Sequence, residues 1–211
     1  MPAAMQLDLN LINAELGRKP AELIAWVRSV RERALVTTNF GPFSPVLLHM
    51  VTRQQPDMPV LWIDTGYSTP ATYRFAIEVS RLLKLNLHAY HPLRSRAQRD
   101  AEEGPPPLLD DPRHAAFTQE VKLEPFARAT RELAPDVWFT ALRADQTAER
   151  AAMQPVSVNK EGLMKVAPLL HWSSKELHEY LKSHGLPNNF DYFDPTKVEE
   201  HRECGLHVEQ S

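Results

Sequence analysis

Short, continuous apolar segments that alternate with amphipathic segments constrain the fold of this 211-residue chain more than any other feature. Strands that are apolar at consecutive positions are covered on both faces, and strands joined by helices usually lie parallel in one sheet. We therefore predict an α/β fold with a mostly parallel sheet of five or six strands and helices on both faces. The predicted strands are 34–38, 60–63, 85–90, 137–142 and 165–170.

Helical periodicity and capping residues predict the segments between the strands. Thr69-Pro70 has the pattern of an N-cap followed by proline at the first helical position, and Ser173-x-x-Glu176 has the pattern of a capping box. We predict a loop over 104–113. The predicted helices are 7–16, 20–33, 45–52, 70–83, 121–133 and a last one that starts near Ser173 and ends before Gly185.

Charge and hydropathy narrow the class of partner. The formal charge of -3 and the pI near 6.3 give no overall attraction to nucleic acid or to a membrane, so an anionic ligand must be met by locally placed cations. The first ten residues lack a basic segment followed by an apolar run, and no apolar stretch approaches the roughly 20 residues of a bilayer crossing. We predict a cytoplasmic protein with a small-molecule substrate, without nucleic-acid or membrane partners.

The end of the chain differs in composition from the rest. No low-complexity stretch divides the first 185 residues, whereas the sequence from Asn188 onward is polar, aromatic in patches and poor in periodicity. We predict an α/β domain over 1–187 and a C-terminal tail over 188–211, which contains Cys204.

Three polar loops follow predicted strands at the same edge of the sheet: 39–42, 64–69 and 143–150. Backbone N–H groups at the start of a helix stabilise phosphate, which makes the first loop a candidate anion site. Gly41-Pro42 is equally compatible with a simple turn, and Asp64 at a strand end is as compatible with capping the next turn as with binding ribose or adenine. At the level of residue types both interpretations stay open.

Basic side chains offer a candidate site for sulfate or phosphate. Arg143 and Arg150 lie seven positions apart, with Gln146 between them, and in a helical turn they would point to one side. Guanidinium groups bind paired oxygens of such anions bidentately, and Lys122 would add a point charge. The alternative is a solvated basic surface paired with neighbouring acidic residues.

Cys204 is the single cysteine of the chain, so it cannot form an internal disulfide or supply the several thiolates that hold an iron–sulfur cluster or structural zinc. Its neighbours Arg202 and His207 would lower the pKa of the thiol, whereas Glu203 would raise it. Composition alone leaves Cys204 either incidental or a working thiol.

Seven blocks, in order, resemble the phosphoadenosine phosphosulfate (PAPS) reductase family. They are Thr-Thr-Asn-Phe-Gly (37–41), Val-Leu-Leu-His (46–49), Pro-Val-Leu-Trp-Ile-Asp-Thr-Gly-Tyr (59–67), Thr-Tyr-Arg-Phe (72–75), Val-Lys-Leu-Glu-Pro (121–125), Trp-Phe-Thr-Ala-Leu-Arg-Ala-Asp-Gln-Thr-Ala-Glu-Arg (138–150) and Glu-Cys-Gly-Leu-His (203–207). The likeness covers about residues 34 to 207, and the last block is its most specific part.

The resemblance implies an adenine nucleotide alpha hydrolase-like fold, a homodimer and a two-step reaction in sulfate assimilation toward cysteine. The cysteine of the last block, Cys204, takes the sulfonate from the nucleotide and releases adenosine 3′,5′-bisphosphate. Thioredoxin or glutaredoxin then attacks the cysteine S-sulfonate and releases sulfite.

The resemblance also implies the site residues. Cys204 is the predicted nucleophile, with Glu203 and His207 as its catalytic neighbours, and no metal ligands are predicted. The loops after the first two strands hold the nucleotide, and Lys122, Arg143 and Arg150 face the phosphosulfate. The predicted substrate-binding set is Thr38, Asn39, Phe40, Gly41, Asp64, Thr65, Gly66, Lys122, Arg143, Gln146 and Arg150.

Relatives that act on adenosine 5′-phosphosulfate (APS) usually carry cysteine pairs that hold a four-iron cluster. This chain has one cysteine, so we predict no cluster and no other cofactor, and by association we favour PAPS over APS. The chain departs from the family pattern at Asn39 (usually Ser), Ala141 (usually Gly) and Ala144 (usually Arg), and in a shorter segment between Leu186 and Glu203.

Three alternatives stay open: a paralogue that acts on APS, which the departures suggest, an ATP-pyrophosphatase-type nucleotidyl transferase, and a non-catalytic adenine-nucleotide sensor. The transferase generally requires a Ser-Gly-Gly-x-Asp-Ser loop, which residues 39–44 lack. The sensor would have no need of the Glu-Cys-Gly-Leu-His block.

Overall fold

The computed structural model describes residues 7–108, 110–194 and 196. Its strands form one six-stranded sheet in the order β3-β2-β1-β4-β6-β5. All neighbouring strands are parallel except β5, which runs antiparallel to β6 at the edge. The predicted mostly parallel sheet is confirmed. The strands are β1 (Ala34–Thr38), β2 (Pro59–Ile63), β3 (Asn86–Tyr90), β4 (Val137–Phe139), β5 (Val156–Val158) and β6 (Met164–Val166).

Helices connect most of the strands, and two of them begin with the predicted caps. The Thr69 side chain accepts a hydrogen bond from the N–H of Thr72, and Ser173 with Glu176 forms a capping box. Among the described residues, no helix combines the length and apolar composition that a membrane-spanning helix requires. The helices are α1 (Leu9–Leu16), α2 (Pro20–Val30), α3 (Ser44–Gln54), α4 (Pro70–Leu83), α5 (Arg96–Glu103), α6 (His114–Thr118), α7 (Glu124–Leu133), α8 (Ala148–Ala151) and α9 (Ser174–Ser183), and a π-helical stretch (Gln119–Leu123) joins α6 to α7.

Both faces of the sheet are covered, because alternate residues of each strand pack into different clusters. Val36 and Val60 belong to the larger cluster, which includes buried residues of α2, α3, α4 and α9. Leu35 and Leu61 point the other way, into a smaller cluster with Ala129 of α7. The apolar character of both faces explains why the strands are continuous apolar runs, and helices on both faces are confirmed.

Two strands end earlier than their apolar runs predict. β4 ends at Phe139 rather than Leu142, and β6 ends at Val166 rather than Leu170. Beyond β6 the chain turns, with the N–H of Leu170 donating to the carbonyl of Ala167. Leu142 and Leu170 are nevertheless buried together in a separate cluster. The predicted strands were too long because their last apolar residues are buried outside the sheet.

No sequence pattern predicted α5 or β5, and the first residues of the helix predicted over 121–133 lie in the π-helical stretch that joins α6 to α7. Helix α5 has no apolar stripe because its buried residue is Arg99, whose guanidinium lies over the Phe117 ring and pairs with Glu103. The π-helical stretch ends two residues before Pro125, which has no N–H to donate and whose ring crowds the preceding turn.

Candidate active site

The strand order places the candidate site at the carboxyl edge of the sheet. From β1 the chain passes to β2 and β3 on one side, and it then returns to β4 on the other side of β1, so the strand order reverses there. Ligands of such sheets bind beyond the carboxyl ends of the strands at this kind of reversal. The loops that follow β1, β2 and β4 are the three loops predicted to carry the site.

The loop after β1 is held in a fixed shape by its own side chains. The Thr38 hydroxyl accepts a hydrogen bond from the N–H of Phe40 (3.0 Å), and Asn39 Oδ1 accepts one from the N–H of Gly41 (3.0 Å). Phe40 has φ of +50° and is completely buried, with its ring edge-on to Trp62. Core packing thus holds a left-handed conformation that a non-glycine residue rarely adopts. All four predicted residues of this loop lie together.

The loop after β2 uses Asp64 to close its own turn. Asp64 Oδ1 accepts hydrogen bonds from the N–H of Gly66 (2.9 Å) and the hydroxyl of Tyr73 (2.8 Å), and Oδ2 lies 3.4 Å from Nδ1 of His91. Burial, followed by the bond to Asp64, raises the pKa of Tyr73, so its hydroxyl keeps the proton that it donates. The Thr65 hydroxyl accepts a hydrogen bond from the N–H of Tyr67 (3.3 Å). The geometry therefore favours the capping interpretation of Asp64.

The loop after β4 brings Arg143, Gln146 and Arg150 together, although not in the predicted helical turn. Helix α8 covers only Ala148–Ala151, and Arg143 lies in the preceding loop. Gln146 Oε1 accepts from both the backbone N–H of Arg143 and the guanidinium of Arg150. Arg150 is buried. A single amide oxygen therefore links the two predicted anion-binding arginines.

Arg143 connects this loop to the start of α3. Its guanidinium donates to the hydroxyl of Ser174 (2.8 Å), lies 3.4 Å from Asp145, and is centred 5.6 Å from the Phe43 ring. Phe43 is the N-cap residue of α3, directly after the β1 loop. The first and third predicted loops are therefore neighbours, as the prediction requires.

Lys122 lies in the π-helical stretch, and its described partners come from the C-terminal part of the chain. Its Nζ donates to Asp194 Oδ2 (2.6 Å) and to the hydroxyl of Thr196 (2.8 Å). Both side chains of the ion pair are about nine-tenths buried, with exposed fractions of 10% each. The sequence prediction placed Lys122 against the phosphosulfate, whereas the structure places it against a carboxylate of the chain itself.

Asp194 keeps its negative charge at neutral pH. Burial alone would raise the pKa of Asp194, but the Lys122 ammonium and the Thr196 hydrogen bonds hold that pKa below the usual range. A lowered pKa means that the stabilisation is complete above the ordinary carboxyl range and is lost only as the pH falls through the lowered value. The contact is therefore not a neutral-pH switch.

Residues 188–194 and 196 form a segment that we call the strap, because it crosses the loops at the sheet edge. Asn189 Nδ2 donates to the carbonyl of Phe40 (3.0 Å), and Asn39 Nδ2 donates to the hydroxyl of Tyr192 (2.8 Å). The same Asn189 amide reaches α4, where it contacts the Thr72 hydroxyl. The strap therefore contacts the β1 loop, the beginning of α4 and the π-helical stretch.

Sequence reasoning assigned no role to the strap residues Asn189, Tyr192, Asp194 and Thr196. The only available signal was the recurrence of aspartate among aromatic residues at 190–194, which does not identify Lys122 as a partner. The predicted boundary between 187 and 188 falls at the start of the strap. The predicted catalytic residues Cys204, Glu203 and His207 lie outside the described residues.

Comparisons with known proteins identify the family of this chain. The sequence model of the family described as "Phosphoadenosine phosphosulfate reductase domain" matches residues 33–193. A relative from Synechococcus sp., named phosphoadenosine 5′-phosphosulfate reductase, is 38% identical over 192 residues, which cover 89% of this chain and 81% of the relative.

Solved structures give the same result for the fold. The phosphoadenylyl-sulfate (PAPS) reductase from Candida auris, solved as a phosphate complex, superposes with a TM-score of 0.75 at 25% identity, covering 88% of this chain and 89% of that one. FMN adenylyltransferase from Candida glabrata shares the fold alone, with a TM-score of 0.61 at 14% identity over 89% of this chain and 61% of that one. On the matched family model and the 38% identical relative, this chain belongs to the phosphoadenosine phosphosulfate reductase family.

Proposed function

We propose that this chain is a phosphoadenylyl-sulfate reductase that converts PAPS to sulfite and adenosine 3′,5′-bisphosphate through Cys204. The observation that carries the proposal is the match of the family model to residues 33–193, followed by the Glu-Cys-Gly-Leu-His block at 203–207. The relatives named as PAPS reductases support PAPS as the substrate.

The first step is a displacement at sulfur. The Cys204 thiolate forms a bond to the sulfur of the sulfate group, and the bond between that sulfur and the bridging phosphate oxygen breaks. The nucleotide leaves with the electron pair as adenosine 3′,5′-bisphosphate. A thiolate is a suitable nucleophile, and holding it near the bound sulfate would provide the orientation that the displacement requires.

The second step regenerates the thiol with two electrons from a dithiol protein such as thioredoxin or glutaredoxin. A thiolate of that protein attacks Cys204 Sγ, and the sulfur–sulfur bond to the sulfonate breaks to release sulfite. The second thiol of the reductant then displaces Cys204 from the mixed disulfide, so the reductant leaves oxidised. This chain cannot supply the second thiol because it contains one cysteine.

The geometry of the sheet edge supports the binding of an anionic nucleotide. Arg143 provides a guanidinium group beside the start of α3, and Gln146 links the Arg143 backbone to the buried guanidinium group of Arg150. The β1 loop, held rigid by hydrogen bonds from the N–H groups of Phe40 and Gly41 to its own side chains, lies next to Arg143 through Phe43. We propose that the phosphosulfate lies between these two loops.

The remaining parts of the proposal concern cofactors, assembly and location. One cysteine cannot provide the thiolates of a four-iron cluster, which supports a reaction without a cluster or a metal. We propose that the enzyme works as a homodimer in the cytoplasm and that its sulfite feeds sulfate assimilation. APS is the alternative to PAPS as the substrate of this enzyme.

A mass measurement without reductant tests the first step. The protein is incubated with PAPS or, separately, with APS, and its intact mass is measured. We expect PAPS to add one sulfonate, and we expect Cys204→Ser to remove the adduct because no other cysteine is present.

The nucleotide and the variant separate the alternatives. An adduct with APS alone would identify the APS-specific paralogue. No adduct from either nucleotide would contradict the proposed mechanism. Release of pyrophosphate from ATP would then favour a nucleotidyl transferase, and binding of adenosine 3′,5′-bisphosphate without turnover would favour a sensor.

A further inference from the structure

The ion pair between Lys122 and Asp194 places a negative charge where the family resemblance predicts the negative charge of a substrate. The ammonium donates to the carboxylate and to Thr196, and both side chains of the ion pair are nearly buried. An aspartate carboxylate resembles a phosphate or sulfate group in presenting charged oxygen acceptors. The strap thus supplies Lys122 with an internal anion.

We propose that Asp194 is a built-in competitor for the anion site: it binds Lys122 when no nucleotide is bound, and an anionic group of the nucleotide displaces it. This proposal rests on the proposed function of the same site and adds a regulatory contact to it. Exchange is required because Asp194 and a substrate anion in contact with the same ammonium would repel each other in a site with little solvent to screen them.

The contacts of the strap would transmit this exchange to the β1 loop. Tyr192 accepts a hydrogen bond from Asn39 and lies 3.5 Å from Asp194 Oδ2, so one hydroxyl links the β1 loop to the carboxylate on Lys122. Asn189 holds the same loop through the carbonyl of Phe40. Displacement of Asp194 would therefore loosen the segment that covers the β1 loop at the moment when an anion arrives there.

The competition has two consequences for the reaction. It lowers the affinity for nucleotide below what an unobstructed site would give, because part of the binding free energy is used to displace Asp194. It also assists product release, because Asp194 can return to Lys122 as the bisphosphate leaves. The strap would thus favour a ligand with enough negative charge to replace the aspartate.

Removal of the competing charge tests the proposal directly. The ligands are inorganic pyrophosphate and adenosine 3′,5′-bisphosphate, and calorimetry measures their dissociation constants. We expect Asp194→Asn, which keeps the shape of the side chain, to tighten binding of both ligands about tenfold, within the range of coupling between close charges. The matched control is Asp191→Asn, which removes the same charge from an exposed position of the strap. We expect the control to change binding less than about twofold, as for a screened surface charge.

A double-mutant cycle shows whether the effect acts through Lys122. We expect Lys122→Gln to weaken binding and to reduce the effect of Asp194→Asn to less than about twofold, because the ammonium for which both anions compete is gone. Equal or weaker binding by Asp194→Asn, with native unfolding behaviour, would overturn the proposal and make Asp194 a residue that positions the strap.

Failure of the proposed function has a different signature. If the wild-type protein forms no sulfonate adduct but Asp194→Asn still binds pyrophosphate more tightly, the reductase assignment fails and the competitor stands. If the adduct forms and binding is unchanged in Asp194→Asn, the reductase assignment stands and the competitor fails.

Discussion

Two polar clusters border the carboxyl edge of the sheet, and they differ in where their partners lie along the chain. Asp64 Oδ1 bonds to groups two and nine residues away, within a single strand–helix unit, and Oδ2 lies near His91 at the end of the adjacent strand β3. Lys122 bonds to groups 72 and 74 residues away, on a segment close to the end of the chain. The partners of Asp64 belong to the sheet edge itself, whereas the described partners of Lys122, Asp194 and Thr196, belong to the strap.

The difference separates architectural polar groups from exchangeable ones. Both clusters are buried and hydrogen-bonded, so burial alone does not tell them apart. A polar group that is satisfied within its own strand–helix unit stabilises that unit. A polar group that is satisfied by a terminal segment can exchange its partner for a ligand, because few other contacts break when the segment moves.

The largest expected effect is on the architectural cluster. Asp64→Ala removes the acceptor for the N–H of Gly66 and the hydroxyl of Tyr73 and leaves both donors without it. We expect a loss of about 2 kcal/mol in the free energy of unfolding, measured by urea denaturation, because partly buried donors that lose their acceptor are costly. Asp64→Asn is the matched control, since its amide oxygen can still accept, and we expect it to cost less than about 1 kcal/mol.

The opposite result would contradict the structural role that we assign to Asp64. Normal stability of Asp64→Ala together with lost nucleotide binding would mean that Asp64 contacts ligand rather than capping its turn.

A smaller effect on global stability is expected at the ion pair. Lys122→Met would leave Asp194 buried without its cation, which in a rigid core costs about 3–5 kcal/mol. The strap can instead release the carboxylate to solvent, so we expect a loss of less than about 1 kcal/mol in urea denaturation. Hydrogen exchange of the backbone amides at 188–194 should become at least about tenfold faster.

Hydrogen exchange distinguishes the Asp64 cluster from the Lys122 cluster, because it reports on the strap separately from the sheet. Amides of β1 and β2 should keep their protection in Lys122→Met and exchange faster in Asp64→Ala. A global loss above about 3 kcal/mol in Lys122→Met would place the ion pair in the core and contradict the distinction between the two clusters.

Most of the fold could be predicted from the sequence because its central strands and amphipathic helices have strong periodic patterns. β1 and the caps at Thr69 and Ser173 are local features that do not depend on distant contacts. Helix α5 was not predicted because its buried residue is an arginine, and the burial of an arginine depends on partners elsewhere in the chain. β5 is a three-residue edge strand, too short to show a period.

The candidate site was predictable to the level of its loops but not of its partners. The three loops lie at the predicted edge, and Arg143, Gln146 and Arg150 are linked as a group. The role of Asp64 stayed open because the same residue type caps turns and binds ribose. The pairing of Lys122 with Asp194 could not be predicted, because nothing in local sequence specifies a contact across 72 residues.

A measurement of sulfite release tests whether Cys204 carries out the proposed reaction. The protein is supplied with PAPS and reduced thioredoxin, and sulfite is measured for the wild-type chain and for Cys204→Ser at equal concentrations of folded protein. If Cys204 is the nucleophile, the wild type should release one sulfite for each PAPS consumed, and Cys204→Ser should release none above background. Equal sulfite output from both proteins would show that Cys204 is not the nucleophile.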